Sequence, residues 1–126
     1  MFDQPNPPVP SGPRILALVR DLMFSSRISA EARAASVACK IVPDPLELLA
    51  AGEGVLLLVD LNLPGATDAA AAWRAANSLP VVGFVSHVDA AAIAHAREVG
   101  LDKVMARSQF VSELPELLAS LAAAPG

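Results

Sequence analysis

Residues able to hold or attack a phosphoryl group stand at the ends of the apolar runs of this chain. Arg20 and Asp21 follow RILALV, Asp60 closes VLLLVD, Ser86 and His87 follow PVVGFV, and Arg107 and Ser108 follow DKVMA. If the fold brings these ends together, two acids, a hydroxyl and two guanidiniums converge, and guanidinium forks match the oxygens of a phosphoryl group. A carboxylate fixed at a strand end can also act as a nucleophile toward phosphorus. A single strand-end aspartate would be read as a cap of the next loop; it is the coincidence with the other groups that points to chemistry.

Other chemistries fail on context. His87 follows Ser86 directly, so on an extended segment the two side chains point to opposite sides and make no Ser–His pair. The one glycine-rich spot, GEG at 52–54, precedes an apolar run instead of joining a strand to a helix, and there is no Walker-type lysine loop. Cys39, the single cysteine, lies in the apolar run VACKIV and reads as a buried, inert thiol. Disulfides and cysteine-type zinc sites within one chain are excluded.

The elements that must position these residues alternate. Strand-like runs at 14–20, 37–42, 55–59, 80–85 and 102–106 are each followed by helix-compatible sequence, at 25–36, 45–51, 67–77, 89–100 and 112–124. Serines 25 and 26 suit an N-cap, Pro45 suits a first helical turn, and Gly100 suits a C-cap. Alternation of this kind implies a parallel sheet covered on both faces, which explains why the third and fourth runs are apolar throughout. The expected fold is a doubly wound α/β sandwich whose ligands bind outside the carboxyl ends of the strands. Trp73, the only tryptophan, is expected in the core or at the sheet edge, and His95 on the surface.

Composition bounds the partners. With 126 residues and 54% hydrophobic content, one domain with a real core is expected. Lys plus Arg number 9 against 13 acids, a net charge of −4 with no basic block, so the footprint of a nucleic-acid binder is missing. Glu47, Glu53 and Asp60 interrupt the most hydrophobic region, leaving no apolar run of the ~18 residues that a membrane span needs. The first 13 residues carry five prolines and Asp3, unlike a signal or transit peptide, and read as a disordered tail. A single folded domain is expected over 14–122 and a flexible end over 123–126. The chain is expected in the cytoplasm, and, with no output module after LAAAPG, to act through another protein.

From Arg14 to about Leu121 the sequence resembles the receiver domains of two-component response regulators, the CheY-like family. VDLNLPG supplies the strand-end Asp60 with Pro64 four residues on, VGFVSH supplies Ser86 after the fourth run, and GLDKVMARS is similar to the family's fifth-strand segment. The resemblance implies a (βα)5 flavodoxin-like fold with strand order 2-1-3-4-5, Asp60 as phosphoacceptor, Asp21 in an acidic pocket and Ser86 as the switch hydroxyl. It implies signal transduction, with no enzymatic activity beyond self-phosphorylation from a phosphodonor. The protein partner would be a histidine kinase or phosphotransfer protein. The output face would lie on the fourth helix, fifth strand and fifth helix, with Val104, Phe110 and Val111 on it and room for a homodimer.

The pattern departs from the family at defined places. Arg20 stands where receivers carry one of two adjacent acids, Arg107 replaces the lysine after the fifth strand, Ser108 its proline, and Val104 the switch aromatic. Two unit charges ~4 Å apart interact by about 4 kcal/mol at an effective dielectric of 20, and acid-to-arginine moves two charge units. Magnesium, whose remaining ligands by resemblance would be Asp21, Asp60 and the carbonyl of Asn62, is therefore expected to bind weakly, and no other cofactor is expected. Two consequences stay open. Arg20 and Arg107 hold the phosphoryl oxygens in place of metal and lysine, or an Arg20–Asp60 salt bridge locks the site and leaves a pseudo-receiver that only binds partners.

Overall fold

The computed structural model describes residues 14–85 and 90–123. The proline-rich segment 1–13, the residues 86–89 that include Ser86 and His87, and the last residues 124–126 lie outside it.

Five parallel strands form one sheet in the order β2-β1-β3-β4-β5: β1 Arg14–Leu18, β2 Ala38–Val42, β3 Leu56–Asp60, β4 Val81–Val85 and β5 Lys103–Ala106. The order reverses beside β1, where β2 pairs with one edge and β3 with the other. The carboxyl ends of β1 and β3 thus lie side by side at the switch point, where an open α/β sheet presents its ligand crevice.

Successive residues of the central strands go to opposite faces, and both faces are covered. Leu16, Leu18, Leu57 and Val59 pack on one side with Trp73 and Ala70 of α2 (Ala66–Asn77) and Ala96 of α3 (Ala90–Glu98). Ile15, Ala17, Leu58 and Phe84 pack on the other with Phe24 and Ile28 of α1 (Leu22–Ala34) and Phe110, Leu114 and Leu118 of α4 (Arg107–Ala123). Two-sided burial is the reason the third and fourth runs show no polar alternation.

Three expected helices change. The segment 45–51 forms only a 3-10 turn, Pro45–Glu47, opened by the Asp44 side chain, which accepts from the Leu46 amide at 3.0 Å. Gly52, at φ +98°, ends the segment before a stable helix can propagate, since so few residues cannot offset helix nucleation. Leu48 anchors the turn in the core. Leu46 and Leu49 are left on the surface, 92% and 63% exposed.

Helix α1 begins at Leu22, before the serines expected to cap it, because Asp21 caps it: its Oδ1 accepts from the Phe24 amide at 3.1 Å. Helix α4 begins at Arg107, five residues before Ser112, because Phe110 belongs to the same buried stripe as Leu114 and Leu118, spaced four apart. Pro115 sits inside α4, where it cannot donate to the carbonyl of Val111.

Candidate functional site

The acids meet at the switch point. Asp60 is the last residue of β3 and is half-buried. Its Oδ1 accepts from the Asn62 amide at 2.9 Å, an Asx turn that fixes the carboxyl at the mouth of the sheet. The chain then turns through Leu63, whose amide donates to the Asp60 carbonyl, and enters α2 at Gly65, whose φ of +83° suits a residue without Cβ.

Burial raises the Asp60 carboxyl above the usual range, because it disfavours the charged form; the Asn62 amide and the nearby Arg107 guanidinium oppose that, and the negative Asp21 adds to it. Asp21, exposed, is held below the usual range first by the Phe24 amide and then by Arg107.

Arg107 is the cation of this site. Its Nη2 lies 3.4 Å from Asp21 Oδ2, and its guanidinium carbon stands 3.8 Å from the centroid of the Phe24 ring. Beneath it Phe24, Phe84 and Phe110 pack as a cluster, with Phe84 stacked on Phe110 at 4.5 Å and tilted against Phe24 at 4.9 Å. The aromatic floor and Asp21 together hold a guanidinium beside Asp60. Placing Arg107 in the first turn of α4 is what brings it there, since it shares a helix face with Phe110 three residues on.

Arg20 does not join this cluster. Its Nε donates to the Pro43 carbonyl at 3.2 Å, and among the described residues it makes no ion pair with Asp60. The Arg20–Asp60 salt bridge, one of the two alternatives left open, is not formed among the described residues: the carbonyl leaving β2 draws the guanidinium toward the β2 side. Ser86, the expected switch hydroxyl, lies outside the described residues.

Of the three residues expected on the partner face, Phe110 turns inward. Phe110 is 1% exposed because it forms part of the aromatic floor, and Val104 and Val111 are half-buried against the two core layers. The exposed apolar residues near the acids are instead Leu22 and Met23, 77% and 85% exposed on the first turn of α1 beside Asp21. The role of Phe24 beneath Arg107 was not visible from spacing alone. The signal was three adjacent apolar residues, LMF, directly after Asp21, of which a helix can turn only part to the core.

Asp21 Oδ1 is occupied by the Phe24 amide, its Oδ2 by Arg107, and Asp60 Oδ1 by the Asn62 amide. Among the described residues no group of three or more His, Cys, Asp or Glu side chains is placed to hold a metal ion. Asp60 Oδ2 is the one oxygen of the two carboxylates that no hydrogen bond among the described residues takes up.

No protein-family model and no curated protein matches this chain. Solved structures do. It is similar to the phosphorylated cyanobacterial phytochrome response regulator RcpA, at 19% identity over 87% of this chain and 91% of that one, with a TM-score of 0.70. A putative response regulator from Chloroflexus aurantiacus matches at 18% identity over 90% and 100% of the two chains, TM-score 0.74. The Mn2+-bound form of the response regulator Rcp1 matches at 17% identity over 90% and 97%, TM-score 0.70. Fold and strand order thus define the class: a five-stranded, all-parallel sheet with the architecture of response-regulator receiver (CheY-like) domains. The chain shares that architecture at low sequence identity, with an arginine held at the acidic mouth. No helix among the described residues is long and apolar enough to cross a membrane.

Proposed function

We propose that this chain is an atypical receiver module over residues 14–122 that takes a phosphoryl group on Asp60 without needing a divalent metal, and passes the signal to a protein partner. The observation that carries this reading is Asp60 itself: half-buried at the switch point, one oxygen tied to the Asn62 amide, the other uncommitted among the described residues, with Arg107 nearby. The uncommitted Oδ2 attacks phosphorus, an O–P bond forms, and the bond from phosphorus to the leaving group breaks, the leaving group taking the electron pair and then a proton. Burial makes the carboxylate more basic and so a better nucleophile.

Arg107 supplies the positive charge. Its contact with Asp21 is long, 3.4 Å, and solvent-facing, so a more negative Asp60 phosphoryl competes for the guanidinium at little cost. The movement of Arg107 off Phe24 is the event that α4 reports. A phosphodonor protein, a histidine kinase or phosphotransfer protein, approaches over Leu22 and Met23, which lie beside the mouth. The module works in the cytoplasm as a signalling protein, and residues 1–13 and 123–126 lie outside it.

The second reading, a phosphorylation-independent pseudo-receiver that only binds partners, rests on Asp21 having both oxygens taken. Incubation with a small phosphodonor followed by intact mass separates the two. The first reading expects one phosphoryl adduct on the wild type and none on Asp60→Asn; absence of an adduct on the wild type selects the pseudo-receiver.

A further inference from the structure

Arg107 opens α4, where the aligned peptide dipoles disfavour a cation and no acid of the first turn offsets them. A guanidinium there needs an anion from another element. Beyond burial and the Asn62 amide, the Asp60 carboxyl is held down by Arg107 and pushed up by Asp21, so the three groups share one field. The geometry gives the cation to Asp21. Arg107 Nη2 lies 3.4 Å from Asp21 Oδ2, and among the described residues it makes no ion pair with Asp60.

One turn of α1 makes this hold. Asp21 is fixed by the bond that its Oδ1 accepts from the Phe24 amide, and the Phe24 ring, three residues on, carries the guanidinium carbon 3.8 Å from its centroid. Carboxylate and ring thus grip the same cation from the start of one helix. The grip is loose, since the Arg107 and Asp21 side chains are 33% and 46% exposed and solvent-facing ion pairs are weak.

An acid that draws the cation from Asp60 works against phosphoryl transfer twice. It keeps positive charge from the oxygens where negative charge develops, and its own charge repels an anionic phosphodonor. In a site run by a divalent metal, an acid at this place would be a ligand and its loss would abolish the reaction. Where an arginine supplies the charge, the sign reverses. We propose that Asp21 is a positioning residue that restrains Asp60: it holds Arg107 on Phe24 and away from the phosphoacceptor, and neutralising it frees the guanidinium to turn to Asp60. This role rests on Asp60 being the phosphoacceptor.

Asp21→Asn removes the charge and keeps the helix cap, and Asp21→Ser does the same with a different side chain. Both are expected to form the Asp60 adduct from acetyl phosphate, in chelator, about two- to fivefold faster than the wild type, the worth of an exposed ion pair. Phosphoramidate, a less negative donor, is expected to show the gain too, because the freed guanidinium serves either donor. Equal or slower rates in both variants overturn the proposal. So does a gain confined to acetyl phosphate, which would come from charge repulsion alone. A second readout needs no phosphoryl transfer: the Phe24 ring current displaces the Arg107 Nε–H resonance in the wild type, and Asp21→Asn is expected to return it toward that of a solvated arginine. A resonance that stays in place overturns the proposal whatever Asp60 accepts. A resonance that moves while neither protein takes an adduct refutes the receiver reading instead, and supports the hold of Asp21 on Arg107.

Discussion

Replacing Arg107 by methionine removes the charge from the acidic mouth while keeping an unbranched stem over Phe24. The guanidinium carbon lies 3.8 Å from the ring centroid, and the Arg107 side chain is 33% exposed. A cation over an aromatic face contributes about 0.5–1 kcal/mol when exposed and about 2 when desolvated, so the Arg107–Phe24 coupling here is about 1 kcal/mol. A double-mutant cycle isolates it: wild type, Arg107→Met, Phe24→Leu and the double variant, each unfolded by urea. The expected coupling energy is about 1 kcal/mol, well above the ~0.3 kcal/mol within which independent sites add. Strict additivity would refute the claim that Phe24 is the platform for Arg107. The same variants carry a second readout. Because the guanidinium opposes the effect of burial on Asp60, Arg107→Met should raise the Asp60 carboxyl further, and it should raise Asp21 as well, as followed by carboxyl-carbon NMR. Phe24→Leu, which leaves the charge in place, should move Asp60 less.

Three other outcomes follow from the packing and the charges. Phe110→Ala, which empties the ring stacked 4.5 Å from Phe84, should cost about 3–5 kcal/mol in urea unfolding. The folded state raises Asp60, so Asp60 favours the fold while protonated; that contribution is fully present below the unfolded value and is lost as pH rises through the folded one. Asp60→Asn should therefore be more stable than wild type at neutral pH, with the gap closing in acid. Asp102 behaves in the opposite sense: a bidentate pair with Arg74 at 2.9 Å and a bond from the Val81 amide lower its carboxyl to about 2, so Asp102→Asn should lose stability at neutral pH, and the loss should vanish as pH falls through about 2.

The sheet was legible because two-sided burial leaves unbroken apolar runs: four of the five strands fall inside an expected one, and β3 runs one residue further, to Asp60. Trp73, expected in the core or at the sheet edge, is in the core, on the helix face it shares with Ala66 and Ala70. The segment 45–51 was misread because proline and leucines at helical spacing say nothing about length; Gly52 left too little chain to propagate. The start of α4 was placed too late at 112 because Phe110, which extends the buried stripe of Leu114 and Leu118 backward, lies before it. At the site, sequence placed Asp21, Asp60 and the two arginines at strand ends but not which arginine faces the acids. That choice is tertiary: the Pro43 carbonyl takes Arg20, while the Phe24 ring and Asp21 hold Arg107.

The most direct measurement is the rate at which a phosphoryl adduct appears on Asp60 from a small phosphodonor, by intact mass, in chelator and in excess magnesium. A receiver whose charge is supplied by Arg107 should form the adduct at the same rate in both, and lose it in Arg107→Met and in Asp60→Asn. An adduct that forms only with magnesium, or that forms undiminished without Arg107, would contradict the account.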